Sequence, residues 1–504
     1  MIGKGFPVFL RIKLQSILPK ALLSSLEGLP GFDREAFESV HAAGPQVTSI
    51  RVNPGKVGVG DSGGHAGLTA GVEGERVAVG GGGELTGDAG RGSSVWTVAG
   101  AERVPWSSFG YYLPERPSFT FDPLFHAGTY YVQEASSMFL EQALRQTTDL
   151  SRPLRVLDLC AAPGGKSTLL QSLLSPDSLL VSNEVIRNRV HILEENMVKW
   201  GGINTVITSN DPADFNRLEN YFDVMVVDAP CSGSGLFRRE PEAMAEWSPG
   251  NVQLCHQRQQ RILADCWPAL CNDGLLIYST CSYSREENED ILDWMVEDLG
   301  ATTCRLETPP DWGIVETAGR SGAYGYRFYP DRVKGEGLFV ACLRKNDGAA
   351  FTAPRKKGML ERPARKDEER IAAWVRPGTS LFYFHHQERI YGVPAELAAD
   401  LPILQSSLYL KRAGAPLGKL SVKEFIPEHD LALSTVISPA LPALALSREE
   451  ALQYLRKDEW RPAVTHRGWM LVQYGGHNLG WIKALPGRIN NYYPKEWRIL
   501  RRES

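Results

Sequence analysis

The chain has 504 residues, of which 43% are hydrophobic and 23% are charged, and its formal net charge is -4 at pH 7. This length predicts roughly three domains, and the composition is typical of a soluble globular protein. The slightly acidic balance excludes a basic coat over the whole protein, so contacts with nucleic acid require local patches. The eight cysteines form no C-x-x-C pair, and we find no signal peptide or long apolar segment. We therefore expect a reduced, cytoplasmic protein without structural zinc.

The first part of the chain predicts a small α+β domain. A helical pattern covers residues 18–42, and residues 47–53 have the composition of a strand. From 55 to 94 the sequence turns to Gly with Val, Ala, Asp and Ser, which cannot support a packed core. We predict a mobile insertion there. The chain then resumes with aromatic segments, and residues 130–137 lead from a strand into a helix.

Residues 154–168, LRVLDLCAAPGGKST, carry the strongest local signal of the chain. A short apolar run of strand type passes through small residues, Pro and two Gly into a helix that starts near Ser167. A turn of this kind lets a ligand lie against bare backbone, and the helix N-terminus attracts an anionic group. The segment therefore predicts a site for a nucleotide-like ligand.

Three classes of nucleotide site use this geometry. The dinucleotide motif G-x-G-x-x-G is absent. The phosphate-binding motif G-x-x-x-x-G-K-[ST] fits at 165–167, but Cys160 stands in place of its first Gly, and residues 222–228 could form a metal-binding strand that ends in Asp. Against this, the next strand ends in Glu184, where a ribose diol would be held. An adenosine cofactor is favoured, and a P-loop ATPase remains the alternative.

Strands and helices alternate from residue 152 to about Lys345. Strands are predicted near 155, 180, 204, 224 and 275, and helices near 167, 187, 253 and 286. This order predicts a parallel sheet covered on both faces, complete by Lys345, with ligands at the carboxyl ends of its strands. Asp211 follows the third strand, where it could contact an adenine amino group.

Two cysteines are predicted at the ends of adjacent strands. The fourth strand is followed by Asp228 and Cys231, and the fifth by Cys281. A thiolate is a strong nucleophile, and the start of the next helix, with Ser284 and Glu287 as its predicted capping box, would favour a thiolate at Cys281. Free cysteines are usually small core residues. We favour a chemical role because strand ends in this fold are where ligands bind.

After Lys345 the composition changes. Residues 346–370 are rich in Lys, Arg, Pro and Gly and predict a flexible basic linker, and 371–504 mix short strands with a helix at 447–457. Near the end, basic residues alternate with aromatic ones, which fits a solvated basic face and an RNA-binding surface equally well. The residues concerned are Lys483, Arg488, Lys495, Arg498, Arg501 and Arg502, with Trp481, Tyr492, Tyr493 and Trp497.

The motifs together resemble the Sun-type (Nol1/Nop2/Sun) RNA cytosine-C5 methyltransferases. The resemblance rests on the order and spacing of four segments, 158–166, 228–233, 279–282 and 286–289. The flanking segments look like the bacterial RsmF branch of that family, which modifies 16S RNA of the small ribosomal subunit; they are residues 49–53, 132–138 and 487–494. The resemblance covers nearly the whole chain except the Gly-rich insertion and the linker.

The resemblance implies an α/β protein with a Rossmann-like, mostly parallel methyltransferase core at 151–345. It also implies a small α+β RNA-binding domain at 15–150, which contains the insertion 55–94. After the basic linker 346–370, residues 371–504 would form a C-terminal RNA-binding region, a ferredoxin-like segment followed by a small β-barrel of the PUA type.

The resemblance implies S-adenosylmethionine as cofactor. Glu184 would hold the ribose, Asp211 would lie near the adenine and Asp228 near the methyl end. The backbone of the turn would hold the rest of the cofactor through Cys160, Ala161, Ala162, Pro163, Gly164, Gly165 and Lys166.

The same resemblance assigns roles to the two thiols, with Cys281 as nucleophile and Cys231 needed for product release. Asp228 would serve as the acid at ring nitrogen 3 of cytosine. The implied substrate is 16S rRNA or the small subunit, with transfer RNA as the alternative. We expect no bound metal, no DNA or membrane partner, and a monomer.

Overall fold

The computed structural model describes residues 18–43, 47–57, 76–79, 83–86, 100–352, 360–460 and 462–502. Apart from three residues at its start and two short strands, the insertion predicted at 55–94 lies outside the described residues. None of the helices in these described ranges is long and apolar enough to cross a membrane.

The N-terminal part contains α1 (Lys20–Leu26), α2 (Arg34–Ala43), β1 (Thr48–Val52), β2 (Arg76–Val79), β3 (Gly83–Thr86), β4 (Glu102–Arg103), β5 (Gly110–Leu113), α3 (Pro123–Ala127), β6 (Tyr130–Val132) and α4 (Leu140–Thr147). Four of its strands form an antiparallel sheet with the order β4-β5-β1-β6, while β2 and β3 pair with each other.

The central part contains the strands and helices that the sequence predicts there. Its elements are β7 (Arg155–Asp158), α5 (Gly165–Leu173), β8 (Leu179–Asn183), α6 (Arg187–Trp200), β9 (Thr205–Thr208), β10 (Phe222–Asp228), α7 (Ala243–Glu246), α8 (Pro249–Cys266), β11 (Leu270–Thr280), α9 (Glu289–Leu299), β12 (Thr302–Cys304), β13 (Val315–Ala318), β14 (Tyr324–Phe328) and β15 (Leu338–Arg344).

The C-terminal part begins with α10 (Arg365–Ala372), so the last residues of the predicted linker 346–370 are helical. It continues with β16 (Leu381–His386), β17 (Arg389–Pro394), α11 (Asp400–Ser407), β18 (Leu410–Ala413), β19 (Ala415–Leu420), β20 (Phe425–Pro427), α12 (His429–Leu433), β21 (Ala443–Ala445), α13 (Arg448–Arg456), β22 (Gly468–Tyr474), β23 (His477–Leu485) and β24 (Arg488–Asn491).

Five strands form the parallel centre of a ten-stranded sheet, in the order β11-β10-β7-β8-β9. The chain adds β8 and β9 on one side of β7 and then β10 and β11 on the other side. This change of side creates a crevice between β7 and β10 at the carboxyl ends of the strands, where such sheets bind ligands. Antiparallel strands β15, β14 and β13 extend the sheet beyond β11, and β12 pairs with β15. The strand ends that position the site are therefore central in the sheet.

All five parallel strands lie before Lys345, as predicted, but the sheet as a whole also takes a strand from the C-terminal part. Strand β18 pairs antiparallel with β9, with Leu410 opposite Thr208 and Ala413 opposite Val206. Without β18, the backbone groups of β9 would form an open sheet edge, which folded proteins cover or shorten. The C-terminal part is thus built into the catalytic sheet.

The segment predicted as ferredoxin-like has a different element order. Strands β16 and β17 form a hairpin with no helix between them, whereas a ferredoxin-like fold runs β-α-β-β-α-β. Together with β19 and β20 they make an antiparallel sheet in the order β16-β17-β19-β20. Strand β18, which lies between β17 and β19 in the chain, belongs to the ten-stranded sheet instead.

The last sheet, β21-β22-β23-β24, packs with α13 against the N-terminal part. Ser447 and Glu450 form a capping box at the start of α13, and Lys457 ends it in the left-handed conformation. Leu124 and Tyr130 of the N-terminal part share one apolar cluster with this last unit. The N-terminal part and the last unit therefore pack directly against each other.

Candidate active site

The turn between β7 and α5 forms one wall of the site. Gly164 has φ +117°, a backbone conformation that side chains disfavour, and α5 begins at the next residue. A Cβ atom on Gly165 would lie 3.4 Å from Cε1 of Tyr131. The two glycines therefore keep the backbone bare where a ligand would meet the start of α5.

A cavity of about 320 Å³ opens beside this turn. Its walls include the predicted residues Cys160, Ala161, Ala162, Pro163, Gly165 and Lys166, together with Tyr131, Gln133, Asp228, Cys281 and Glu336. The size is within the range of small-molecule sites. The structure thus brings together most of the predicted turn with one of the two cysteines and with Asp228.

Asp158, at the end of β7, is a buried carboxyl directly behind the turn. Its Oδ2 accepts a hydrogen bond from Ser167 Oγ at 2.7 Å, whereas its Oδ1 is buried without a partner. Burial raises the pKa of Asp158 to about 7. An unpaired buried oxygen is costly, so this atom fits a site in which a ligand donor or water completes the hydrogen bonds. The turn, the cavity and this oxygen together fit a charged nucleoside cofactor.

Glu184 and Asp211 lie at the ends of β8 and β9, outside the walls of this cavity. Glu184 is 3% exposed, its Oε1 accepts from the Ile186 amide at 2.9 Å, and its Oε2 lies 3.5 Å from Arg189 Nη1. Asp211 is exposed and accepts from the Ala213 amide at 3.1 Å, capping a short 3-10 helix. Their roles toward ribose and adenine stay predictions.

The sulfur atoms of Cys231 and Cys281 lie 3.1 Å apart. They come together because β10 and β11 are parallel neighbours, with Asp228 opposite Ser279. The hydrogen bond with Cys281, together with burial, raises the pKa of the Cys231 thiol well above its ordinary value. Cys231 is therefore suited to stay protonated. Cys281 lies on the cavity wall, and its role as nucleophile stays a prediction.

The predicted capping box and the predicted helix start directly after Cys281 are wrong. Helix α9 begins at Glu289, and its N-cap, Asn288, makes no side-chain cap. The Glu287 carboxylate instead accepts hydrogen bonds from Ser232 and Ser282. Burial raises the pKa of Glu287. The spacing of Ser284 and Glu287 matches a cap, but the side chain is used in a contact with a distant loop.

The Lys166 side chain is a polar group of the site that the sequence did not predict, since only the backbone of this residue was expected to contact the cofactor. Its Nζ lies 2.7 Å from Asp228 Oδ2, and Ser279 Oγ donates to the other oxygen of Asp228 at 2.7 Å. Burial lowers the pKa of Lys166, but the Asp228 carboxylate outweighs burial and the pKa is raised. The partial match to a phosphate-binding motif at 165–167 was the sequence signal for this lysine, which lies on the cavity wall.

The aromatic residues near the C-terminus divide into two groups. Trp481 and Tyr493 are buried, so they belong to the core of the last unit and cannot stack on bases. Tyr492 is 42% exposed. The basic side chains that remain exposed on this surface are Arg488, Lys495, Arg498, Arg501 and Arg502.

Comparisons with known proteins assign this site to a family. Residues 146–344 match the model of the 16S rRNA methyltransferase RsmB/F, residues 441–499 that of the methyltransferase RsmF PUA domain, and residues 91–135 that of the N-terminal domain of 16S rRNA methyltransferase RsmF. Ribosomal RNA small subunit methyltransferase F of Aliivibrio fischeri is 31% identical over 417 residues, 78% of this chain and 85% of the relative. The chain belongs to the RsmB/F methyltransferase family.

A second relative supports the family, and a solved structure supports the fold. The Escherichia coli protein of the same name is 29% identical over 416 residues, covering 80% of this chain and 85% of the relative. The crystal structure of PH0851 has a TM-score of 0.51 and 23% identity, covering 65% of this chain and 66% of that one, which supports the fold.

Family membership confirms several predictions made from the sequence. The protein is an S-adenosylmethionine-dependent RNA methyltransferase with a Rossmann-like core and a C-terminal PUA domain. The alternative of a P-loop ATPase is thereby removed. RNA is the substrate class that an RNA methyltransferase with a PUA domain requires.

Proposed function

We propose that this protein methylates carbon 5 of cytosine in the 16S RNA of the small ribosomal subunit through a covalent adduct with Cys281. The observation that supports the reaction type is the pair of sulfur atoms 3.1 Å apart beside the cofactor turn. Many reactions need only one thiol, whereas a reaction of addition followed by elimination can use one thiol for the attack and the other for product release. The names of the relatives, ribosomal RNA small subunit methyltransferase F, support the substrate.

S-adenosylmethionine, when bound, supplies an activated methyl group. The backbone from Cys160 to Lys166 would hold its amino-acid and nucleoside parts, with Glu184 on the ribose, Asp211 near the adenine and Asp228 toward the methyl end. The orphaned Oδ1 of Asp158 offers a further acceptor behind the turn.

Carbon 5 of cytosine is too electron-poor to accept a methyl group directly. The Cys281 thiolate adds to carbon 6 and forms a carbon–sulfur bond, which places the electron pair needed for alkylation on carbon 5. Ring nitrogen 3 gains negative charge in this step. The Lys166 and Asp228 side chains, whose Nζ and Oδ2 atoms lie 2.7 Å apart, are suited to donate a hydrogen bond or a proton to that nitrogen.

Product release requires the reverse of the first step. A base removes the proton from carbon 5, the carbon–sulfur bond breaks, and Cys281 leaves as a thiolate. Cys231, in contact with that sulfur, assists this elimination. We assign it to release rather than attack because its raised pKa favours the protonated thiol.

The finer partner assignments are part of the same proposal. We infer that the protein acts as a monomer in the cytoplasm on 16S rRNA, either free or within the small subunit. The PUA domain and the exposed basic side chains near the C-terminus would bind the RNA backbone. Transfer RNA is the second candidate, because Sun-type enzymes as a family include transfer RNA methyltransferases.

Bisulfite sequencing of ribosomal and transfer RNA tests this function. RNA from cells with and without the gene is compared, and one or more 16S cytosines should lose protection when the gene is removed and regain it with the wild-type gene but not with Cys281→Ala. Loss of protection in transfer RNA alone would replace the proposed substrate. Unchanged protection in both RNA classes would contradict the function.

A further inference from the structure

The loops that carry the two cysteines are joined by one buried carboxylate. Glu287 accepts from the Ser232 amide at 2.8 Å and from the Ser232 hydroxyl at 2.5 Å, on the Cys231 side. Its Oε2 also accepts from the Ser282 hydroxyl at 2.5 Å, on the Cys281 side. Each serine is the residue directly after a cysteine. We call this contact the Glu287 bridge.

Additional hydrogen bonds fix the bridge from both sides. Gln259 of α8 donates to Glu287 Oε1 at 3.3 Å and to the Pro230 carbonyl at 3.0 Å. Asn288 donates to the Ser282 carbonyl at 2.8 Å and accepts from Thr280 Oγ1 at 2.6 Å, so it holds the residues on both sides of Cys281. Gln259 and Asn288 thereby fix the Cys231 loop and the Cys281 loop, and Glu287 fixes the two loops relative to each other.

The chemistry of the bridge suits a carboxylate. Four donors converge on the two oxygens of Glu287, which is fully buried. Burying such a group is costly unless its hydrogen bonds are complete, and here they are. A residue that only filled space would not need to accept hydrogen bonds from both cysteine loops.

We propose that Glu287 is a positioning residue that keeps the Cys231 thiol in contact with Cys281, so that Cys231 can act when the cytosine adduct is resolved. This inference rests on the proposed function for the roles of the two thiols, but not for the bridge itself. Small displacements of reacting groups cost large factors in rate, so loosening the bridge should slow the elimination step most.

Thiol proximity can be measured without RNA or cofactor. Diamide oxidises two neighbouring thiols to a disulfide, and peptide mapping identifies the Cys231–Cys281 linkage. Glu287→Ala should form it roughly tenfold more slowly than the wild type. Ser282→Ala should also slow it, because it removes the hydroxyl that donates to Glu287 on the Cys281 side and that also contacts Ser232 and Ser284. Glu287→Gln should be close to wild type, because its amide can accept from the N–H donors and donate to the two hydroxyls.

Asp293, in α9 shortly after the Glu287 bridge, provides a matched control. It is also a fully buried carboxylate with four donors, but it holds Arg320 and Ser321, in a loop that contains no cysteine. Asp293→Ala should leave the disulfide rate unchanged. An equal loss of rate in Asp293→Ala, or a wild-type rate in Glu287→Ala, would overturn the proposal. If Glu287→Ala does not fold, the disulfide rates of Ser282→Ala and Asp293→Ala are compared instead, and a wild-type rate in Ser282→Ala would overturn the proposal.

A second readout links the bridge to the reaction. With target RNA and S-adenosylmethionine, Glu287→Ala should accumulate an RNA adduct that survives denaturing electrophoresis, as expected for Cys231→Ala, while its affinity for S-adenosylhomocysteine stays that of the wild type. Absence of the adduct would overturn the link to elimination. Failure of the wild type to methylate rRNA would contradict the proposed function, and an unchanged disulfide rate in Glu287→Ala would contradict the bridge, so the two failures are distinguishable.

Discussion

Lys166 Nζ lies 2.7 Å from Asp228 Oδ2 on the wall of the cavity that also contains Cys281. The lysine follows the glycine turn of the cofactor site, and the aspartate ends β10. One ion pair thereby connects the turn before α5 with the carboxyl end of β10. The raised pKa of Lys166 keeps the proton of this pair on the lysine amine, which is the donor that the proposed reaction uses at ring nitrogen 3 of cytosine.

Removal of the Lys166 amine should impair chemistry more than cofactor binding. Lys166→Met keeps the aliphatic stem but removes the proton donor, and loss of general acid catalysis typically costs about 100-fold or more in rate. Single-turnover methylation measures the chemical step, and calorimetry with S-adenosylhomocysteine measures binding. Lys419→Met, which breaks a mostly exposed pair with Glu388, is the control and should keep wild-type activity. A wild-type rate for Lys166→Met would refute the role.

Glu184 should contribute to cofactor affinity. If its carboxylate holds the ribose hydroxyls, Glu184→Ala loses charge-assisted hydrogen bonds worth about 1.5 to 3 kcal/mol and should weaken S-adenosylmethionine binding about tenfold or more. Glu297→Ala, an exposed glutamate on α9, serves as the control. Unchanged affinity of Glu184→Ala by calorimetry would mean that its bonds to Ile186 and Arg189 are structural only.

Asp158 should make the stability of the protein depend on pH. Its pKa is raised from 3.8 to about 7, mainly by burial, so between these values the folded protein holds a proton that the unfolded chain has released. The free energy of unfolding therefore falls as pH rises through this window. The Asn side chain of Asp158→Asn cannot ionise, so its free energy of unfolding does not fall for this reason. The difference in stability between this variant and the wild type should therefore increase with pH, by at most about 4 kcal/mol.

Urea unfolding of both proteins across this pH window measures that difference, because contributions of other titrating groups cancel between them. Asp298→Asn, at an exposed position of α9, should show a difference that does not change with pH. A flat difference for Asp158→Asn would show that the buried carboxyl is ionised throughout, which the unpaired Oδ1 makes costly.

The exposed basic side chains of the PUA domain should determine the salt dependence of RNA binding. Replacing Lys495 and Arg498 by Ala should reduce the slope of log affinity against log salt by about 0.7 to 0.9 for each phosphate that the variant no longer neutralises. Arg305→Ala, which removes an exposed arginine of the central part, should leave the slope unchanged. Equal slopes for the double variant and the wild type would show that RNA binds elsewhere.

The strand ends of the site were predictable because their signals are local. An apolar run followed by small or polar residues marks the end of a buried strand, and parallel neighbours bring such ends together. Cys231, Cys281 and Asp228 were placed beside one another on this ground alone. The structure adds the 3.1 Å distance, which depends on the register of β10 against β11.

The features that were missed depend on contacts between distant parts of the chain. Glu287 has the spacing of a helix cap after Ser284, yet its carboxylate bonds to Ser232, 55 residues earlier. Strand β18 completes the catalytic sheet by pairing with β9, and the local sequence of neither strand indicates its partner. Trp481 and Tyr493 alternate with basic residues as an RNA surface would, but burial in the last unit decides their role.

The two cysteines have opposite expected signatures, because they act at different steps of the covalent reaction. Cys281→Ala cannot add to carbon 6, so it should be inactive and form no adduct. Cys231→Ala can add and transfer the methyl group but is slow to eliminate, so a methylated RNA adduct should accumulate.

Denaturing electrophoresis of each variant with target RNA and S-adenosylmethionine is the most direct test of the covalent mechanism. A slow-migrating RNA–protein band is predicted for Cys231→Ala only, and it should disappear when either the RNA or the cofactor is omitted. A band for Cys281→Ala instead would reverse the two roles. Full methylation activity in both variants would contradict the covalent mechanism altogether.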